Sequence, residues 1–87
     1  MKVCKEVVEV SGEGLEAFLG ETITLFCAVY IYTGKLVGVN TDCVKLMDPK
    51  IVYETGELTA KAFKDAQSLP GPHYVQKAMI ESFGPGK

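Results

Sequence analysis

The sequence lacks long apolar runs: none of its 87 residues belongs to a stretch approaching the roughly 18 consecutive apolar positions of a membrane-spanning helix. The start, Met1-Lys2-Val3-Cys4-Lys5-Glu6, also lacks the uninterrupted apolar region of a secretory signal. No membrane partner and a cytoplasmic address are therefore expected. Cysteine is scarce. Cys4, Cys27 and Cys43 are odd in number, widely spaced and free of any C-x-x-C or Cys/His cluster. That pattern argues against a disulfide framework or a zinc site and for small reduced thiols packed inside. Histidine is scarcer still. His73 stands alone, with no acid or nucleophile close in sequence to form a catalytic set, so it reads as a surface or loop-packing side chain.

Charge of one sign is missing as well. A formal net charge of −2 provides no global field to gather a polyanion, and Lys45, Lys50, Lys61, Lys64 and Lys77 are dispersed, so DNA is not expected as a partner. The acids Glu13, Glu16, Glu21, Asp42, Asp48, Glu54, Glu57 and Asp65 are spread over turns and caps, without the ligand spacing of a calcium loop. Thr33-Gly34-Lys35 echoes a phosphate loop but lacks the preceding glycine spacing and the following helix. No cofactor, no metal and no enzymatic activity are expected.

What is present is an ordinary globular composition, 47% hydrophobic and 23% charged, without repeats or low-complexity tracts. A chain of this length buries about 60–65% of its unfolded surface, enough for one modest core and one domain over residues 1–87. Valine-rich Lys2–Val10 reads as an edge strand, and Glu13–Leu19 as a short helix with Leu15, Phe18 and Leu19 on one face. Thr22–Tyr32 alternates with apolar residues on both sides, Ile23, Leu25, Cys27, Val29 and Ile31 against Phe26, Ala28, Tyr30 and Tyr32. So small a protein can cover both faces of such a strand only by curling into a barrel and recruiting a helix or a second subunit.

Thr33-Gly34 reads as a tight turn before Lys35–Val39, and Asn40-Thr41-Asp42 as the next turn. Strands follow at Cys43–Met47, stopped by Asp48-Pro49, and at Ile51–Thr55. Beyond Gly56 the apolar period becomes helical through Leu58, Ala62, Phe63, Ala66 and Leu69, ended by Pro70-Gly71-Pro72. His73–Phe83 reads as a final strand, and Gly84–Lys87 as a fraying end. Tyr30, Tyr32, Tyr53 and Tyr74 read as core or interface rings, with base or ligand stacking as the alternative.

The stretch Ile23–Ile31, Thr33-Gly34-Lys35-Leu36-Val37-Gly38-Val39, then Asn40, Asp42, Val44, Leu46 and Asp48 resembles the first motif of the Sm-like family. Its parts are a hydrophobic strand, a turn glycine, a strand whose glycine allows a sharp bend, an acid in the next turn and an alternating strand. The resemblance implies a mainly β fold: a small, strongly bent five-stranded Sm-like barrel with a short N-terminal helix and a short helix in the connection before the last strand. It also implies a homo-oligomeric ring closed by pairing edge strands, a binding or scaffold protein. The expected subunit interface is Ile51 and Tyr53 with Val75, Met79 and Phe83.

Single-stranded RNA is the ligand the resemblance implies, at Asn40, Thr41 and Asp42. The chain departs from the family in its short Gly38–Val44 connection, in its long Gly56–Pro72 segment, and in having no Arg-Gly pair within Ala78–Gly84. The alternative is an assembly component that binds protein partners without nucleic acid, for instance through the Leu58–Leu69 helix.

Overall fold

A computed structural model describes residues 14–87; the strand expected over Lys2–Val10 and the thiol of Cys4 lie outside the described residues. The elements in order are a 3-10 helix Leu15–Phe18, β1 Thr22–Cys27, β2 Ile31–Val39, β3 Cys43–Glu54, β4 Asp65–Ser68, β5 His73–Gln76, a second 3-10 helix Lys77–Met79 and β6 Ile80–Pro85. The strands form one antiparallel sheet in the order β4-β3-β2-β1-β6, with β5 also paired to β3. The fold is thus mainly β, as expected, but with six strands instead of five and with a sheet that does not close. No described helix is long and apolar enough to cross a membrane.

The sheet curls steeply. β3 gives one edge to β2 and shares the other between β5, along Cys43–Leu46, and β4, along Lys50–Glu54. β6 lies at the opposite end of the sheet, beside β1, yet only the three residues Lys77–Met79 separate it from β5. The curl encloses Ile23, Leu25, Leu36, Val44, Leu46 and Val75, with Leu15 and Phe18 of the first 3-10 helix packed against them. Five of these are wholly buried, each contributing about 1.5–3 kcal/mol relative to exposure.

Several expected boundaries move. The strand expected over Thr22–Tyr32 is two strands, because the chain reverses at Ala28-Val29-Tyr30, where the Cys27 N–H donates to the Tyr30 carbonyl at 3.0 Å. Burial on both faces is real but confined to Ile23-Thr24-Leu25. Thr33-Gly34 is no turn; both residues are buried in the middle of β2, and the Thr33 hydroxyl donates to the Ile23 carbonyl at 3.1 Å.

Nor does Asp48-Pro49 end a strand. Thr33 pairs with Lys50 and Lys35 with Met47, so Asp48 and Pro49 together face the single residue Gly34 across a bulge in one continuous β3. Asp48 takes a positive φ of 50°, and the bulge accommodates a proline that has no ladder donor to offer. A side chain at Gly34 would meet this bulge at once. An ideal Cβ there lies 3.1 Å from the Met47 carbonyl oxygen and 3.2 Å from both the Leu46 Cβ and the Pro49 Cα.

The helix expected over Leu58–Leu69 does not form. Residues 55–64 are turns and bends closed by the Lys64 N–H on the Thr55 carbonyl at 3.2 Å and by a Glu54–Lys64 ion pair at 2.9 Å, and residues 65–68 join the sheet as β4. A helix this short is marginal on its own, and pairing with β3 satisfies the same backbone groups on a surface already built. The expected helix over Glu13–Leu19 contracts to the 3-10 helix Leu15–Phe18. The final strand splits at Lys77–Met79, and the expected frayed end is held instead: the Gly86 N–H donates to the Thr22 carbonyl at 2.9 Å, and the Lys87 ammonium donates to the carbonyls of Glu57 and Ala60 while lying 4.7 Å above the Phe63 ring.

Candidate functional site

Asn40-Thr41-Asp42 forms the exposed hairpin turn between β2 and β3. The Asn40 side-chain oxygen accepts from the N–H groups of Asp42 and Cys43, each at 2.8 Å, and the Asn40 N–H donates to the Cys43 carbonyl at 3.0 Å. This is an Asx-type turn, which explains why an asparagine serves where the chain must reverse in so few residues. The second 3-10 helix fastens the turn from the side. The Lys77 N–H donates to the Asp42 carbonyl at 2.9 Å, and its ammonium donates to the Asn40 carbonyl at 3.0 Å. A cation separated from the turn by a long stretch of sequence is therefore part of it, a pairing that spacing alone gives no means to anticipate.

A second feature lies beside β5. Tyr30 from the β1–β2 turn, Tyr32 from β2, Tyr74 and Gln76 from β5, Met79 from the second 3-10 helix and Cys27 from β1 line a groove of about 320 Å³, floored in part by Val75. The rings of Tyr30 and Tyr32 meet at 67° with centroids 6.3 Å apart, and Tyr32 packs on His73 at 5.4 Å. His73 opens β5 and is half-buried, so it sits in a strand and not in a loop.

Burial, and after it the charge of Glu81, pushes the Cys27 thiol above its ordinary range. Burial likewise raises the Tyr32 hydroxyl, with the neighbouring Cys27 and Tyr30 adding to the effect. Tyr74 stands on the groove's rim with the Lys45 ammonium 5.8 Å from its ring centroid, and the same ring borders a smaller hollow lined by Gly38, Asn40 and Cys43. The tyrosines are conspicuous in the sequence; their convergence is not, because it depends on β5 lying against the first half of β3.

The interface candidates scatter. Val75 points into the core, whereas Tyr53, Met79 and Phe83 are exposed. Ile51 lies on a part of β3 flanked on both sides, by Tyr32 of β2 and Gln67 of β4, so it offers no free backbone edge. Tyr53 donates from its hydroxyl to Gln67 at 3.2 Å. Phe83 meets Phe18 edge-on at 6.1 Å. Among the described residues the outer edges of β4, β5 and β6 carry no partner strand. Cys27 and Cys43 are free and half-buried, and no group of acids, cysteines and histidine among the described residues has the arrangement of a metal site. No family model, no curated protein and no solved structure matches the chain.

Proposed function

We propose that the chain is a self-associating Sm-like module, a binding or scaffold protein without catalysis of its own, in which the β5 edge of one copy pairs with the β6 edge of the next. The observation that carries this reading is the pair of strand edges, without partners among the described residues, on either side of the short 3-10 helix Lys77–Met79, with Met79 and Phe83 exposed beside them. Unpaired strand edges with apolar neighbours attract further strands. Because the two edges differ, their pairing is head-to-tail and closes a ring when the rotation allows.

Light scattering at micromolar concentration should return a defined multiple of the chain mass. Met79→Glu and Phe83→Glu, both at exposed positions, should lower that mass while leaving the β circular dichroism unchanged. A monomeric wild type would remove the proposal.

Single-stranded RNA is the ligand this reading favours, at Asn40, Thr41 and Asp42, because Lys77 adds a cation to a turn that the dispersed lysines left without one. Filter binding of oligo-uridine at low salt tests it. Retention that falls with Lys77→Met supports the RNA role, and no retention leaves a scaffold that binds protein surfaces.

A further inference from the structure

The tyrosine-lined groove follows the same free edge that the assembly uses. It is lined by Tyr74, Val75 and Gln76 from β5 and by Cys27, Tyr30 and Tyr32 from β1, β2 and the turn between them. A strand laid against the outer edge of β5 therefore lies along it.

The faces of the sheet decide which side chains of that strand enter. Val75 pairs with Val44 and Tyr32 with Leu25, and Val44, Val75 and Leu25 belong to one core, so this part of the groove lies on the concave face. Phe83 of β6 also pairs with Leu25 and stands on that face. A sheet carried on from β5 into the β6 of another copy keeps its faces. Phe83 of that copy then arrives on the Val75 side of the strand pair. Within its own chain the Phe83 ring meets Phe18 edge-on and yet stays 39% exposed, which leaves surface for a second contact.

Charge fixes the direction of the pairing. Lys77 follows β5 directly, and neither β5 nor the second 3-10 helix contains an acid, whereas β6 contains Glu81 and no cation. With Phe83 opposite Val75, an antiparallel strand brings Glu81 to Lys77. A parallel strand would bring Pro85 there and set Glu81 beside His73. The antiparallel choice also places Ser82 opposite Gln76, both exposed and polar, and Gly84 opposite Tyr74, where the absence of a side chain leaves room for the exposed ring.

We propose that the groove is the seat of the neighbouring copy's β6, paired antiparallel to β5 with Phe83 opposite Val75 and Glu81 beside Lys77. This rests on the self-associating reading above and gives it a register, an anchor and a charge pair. An aromatic ring buried among tyrosines is the kind of anchor that carries binding energy, and the ion pair selects the direction.

Disulfide trapping reads the register. Directly opposed residues of an antiparallel pair have Cα atoms about 4.5–5.5 Å apart, within the span that a disulfide bridges. The full chain carrying Gln76→Cys and Ser82→Cys, oxidised at micromolar concentration, should run as a ladder of covalent multimers on a non-reducing gel, with the wild-type chain and its native thiols as the blank. Tyr74→Cys with Ser82→Cys, two positions out of step, should give far less. Lys77→Glu and Glu81→Lys should each lower the mass seen by light scattering, and the two together should restore it. Tyr30→Ser, on neither edge, should raise the dissociation constant about fivefold, because it removes a ring from the seat.

A ladder from the out-of-step pair alone, no restoration in the doubly reversed variant, or unchanged association of Tyr30→Ser would overturn the seat and its register. An assembled wild type in those experiments would still keep the self-associating reading. A monomeric wild type would overturn both.

Discussion

Replacing Gly34 by alanine places a methyl group against the bulge of β3, at 3.1 Å from the Met47 carbonyl oxygen and 3.2 Å from the Leu46 Cβ and the Pro49 Cα. Two of those three atoms belong to the main chain, whose course there is held by pairing with β2 and by the buried Pro49. They cannot rotate away as a side chain would. Overpacking of this kind costs about 1–3 kcal/mol. Alanine recovers about 0.4–1 kcal/mol by restricting the unfolded chain. The balance is a loss of about 1–2 kcal/mol, which for a domain of this size lowers the melting temperature by about 5–15 °C.

Gly38 supplies the control. An added Cβ there meets only the Lys45 Cβ, at an ordinary 3.4 Å, and the residue has no positive φ, so Gly38→Ala should be neutral or stabilising by up to about 1 kcal/mol. Urea unfolding of both variants at one fixed protein concentration, with slopes compared to exclude changes in the unfolded state, measures the difference. A larger loss for Gly38→Ala than for Gly34→Ala would refute the placement of the bulge and restore the bend to the position that the family resemblance suggests.

Thr33→Val removes the hydroxyl that donates to the Ile23 carbonyl while keeping the side chain's shape, and should destabilise by about 0.5–1.5 kcal/mol in the same urea assay. Asn40→Ala deletes the acceptor shared by the Asp42 and Cys43 N–H groups; hydrogen exchange should accelerate at those two amides, with little change in the core strands. Cys27 is held protonated in the folded chain to higher pH than in the unfolded one, so the folded state keeps the extra proton. Its contribution is full below the ordinary thiol range and is lost as pH rises through that range toward the raised value. Melting temperatures measured from pH 7 to 10 should therefore fall, and Cys27→Ala should flatten the first part of that fall.

The strand content and the Asn40–Asp42 turn were legible in the sequence because each rests on local chemistry: alternation for the strands, an asparagine side chain for the turn. The reversal at Ala28-Val29-Tyr30 was hidden because none of those residues is a usual turn former; pairing of Phe26 with Ile31 imposes it. Thr33-Gly34 misled for the opposite reason. A glycine kept for close approach to β3 looks the same in sequence as a glycine kept for a turn. Leu58, Ala62, Phe63, Ala66 and Leu69 have helical spacing, yet Ala66 pairs with Val52 in the sheet, and Phe63 takes the Lys87 ammonium on its ring. Those contacts join residues far apart in sequence. The same is true of the groove, whose tyrosines come from two separate regions of the chain.

The sharing of one side of β3 between two separate strands has a consequence for how the molecule opens. β4 and β5 each cover a different half of that strand and neither is hydrogen-bonded to the other. Either can detach while its neighbour stays, so amide protection along β3 should fall into two blocks that respond separately to mild denaturant, one on each side of Asp48-Pro49. A fluctuation that frees β5 strips the wall from the tyrosine groove and leaves the β4 end of the sheet intact.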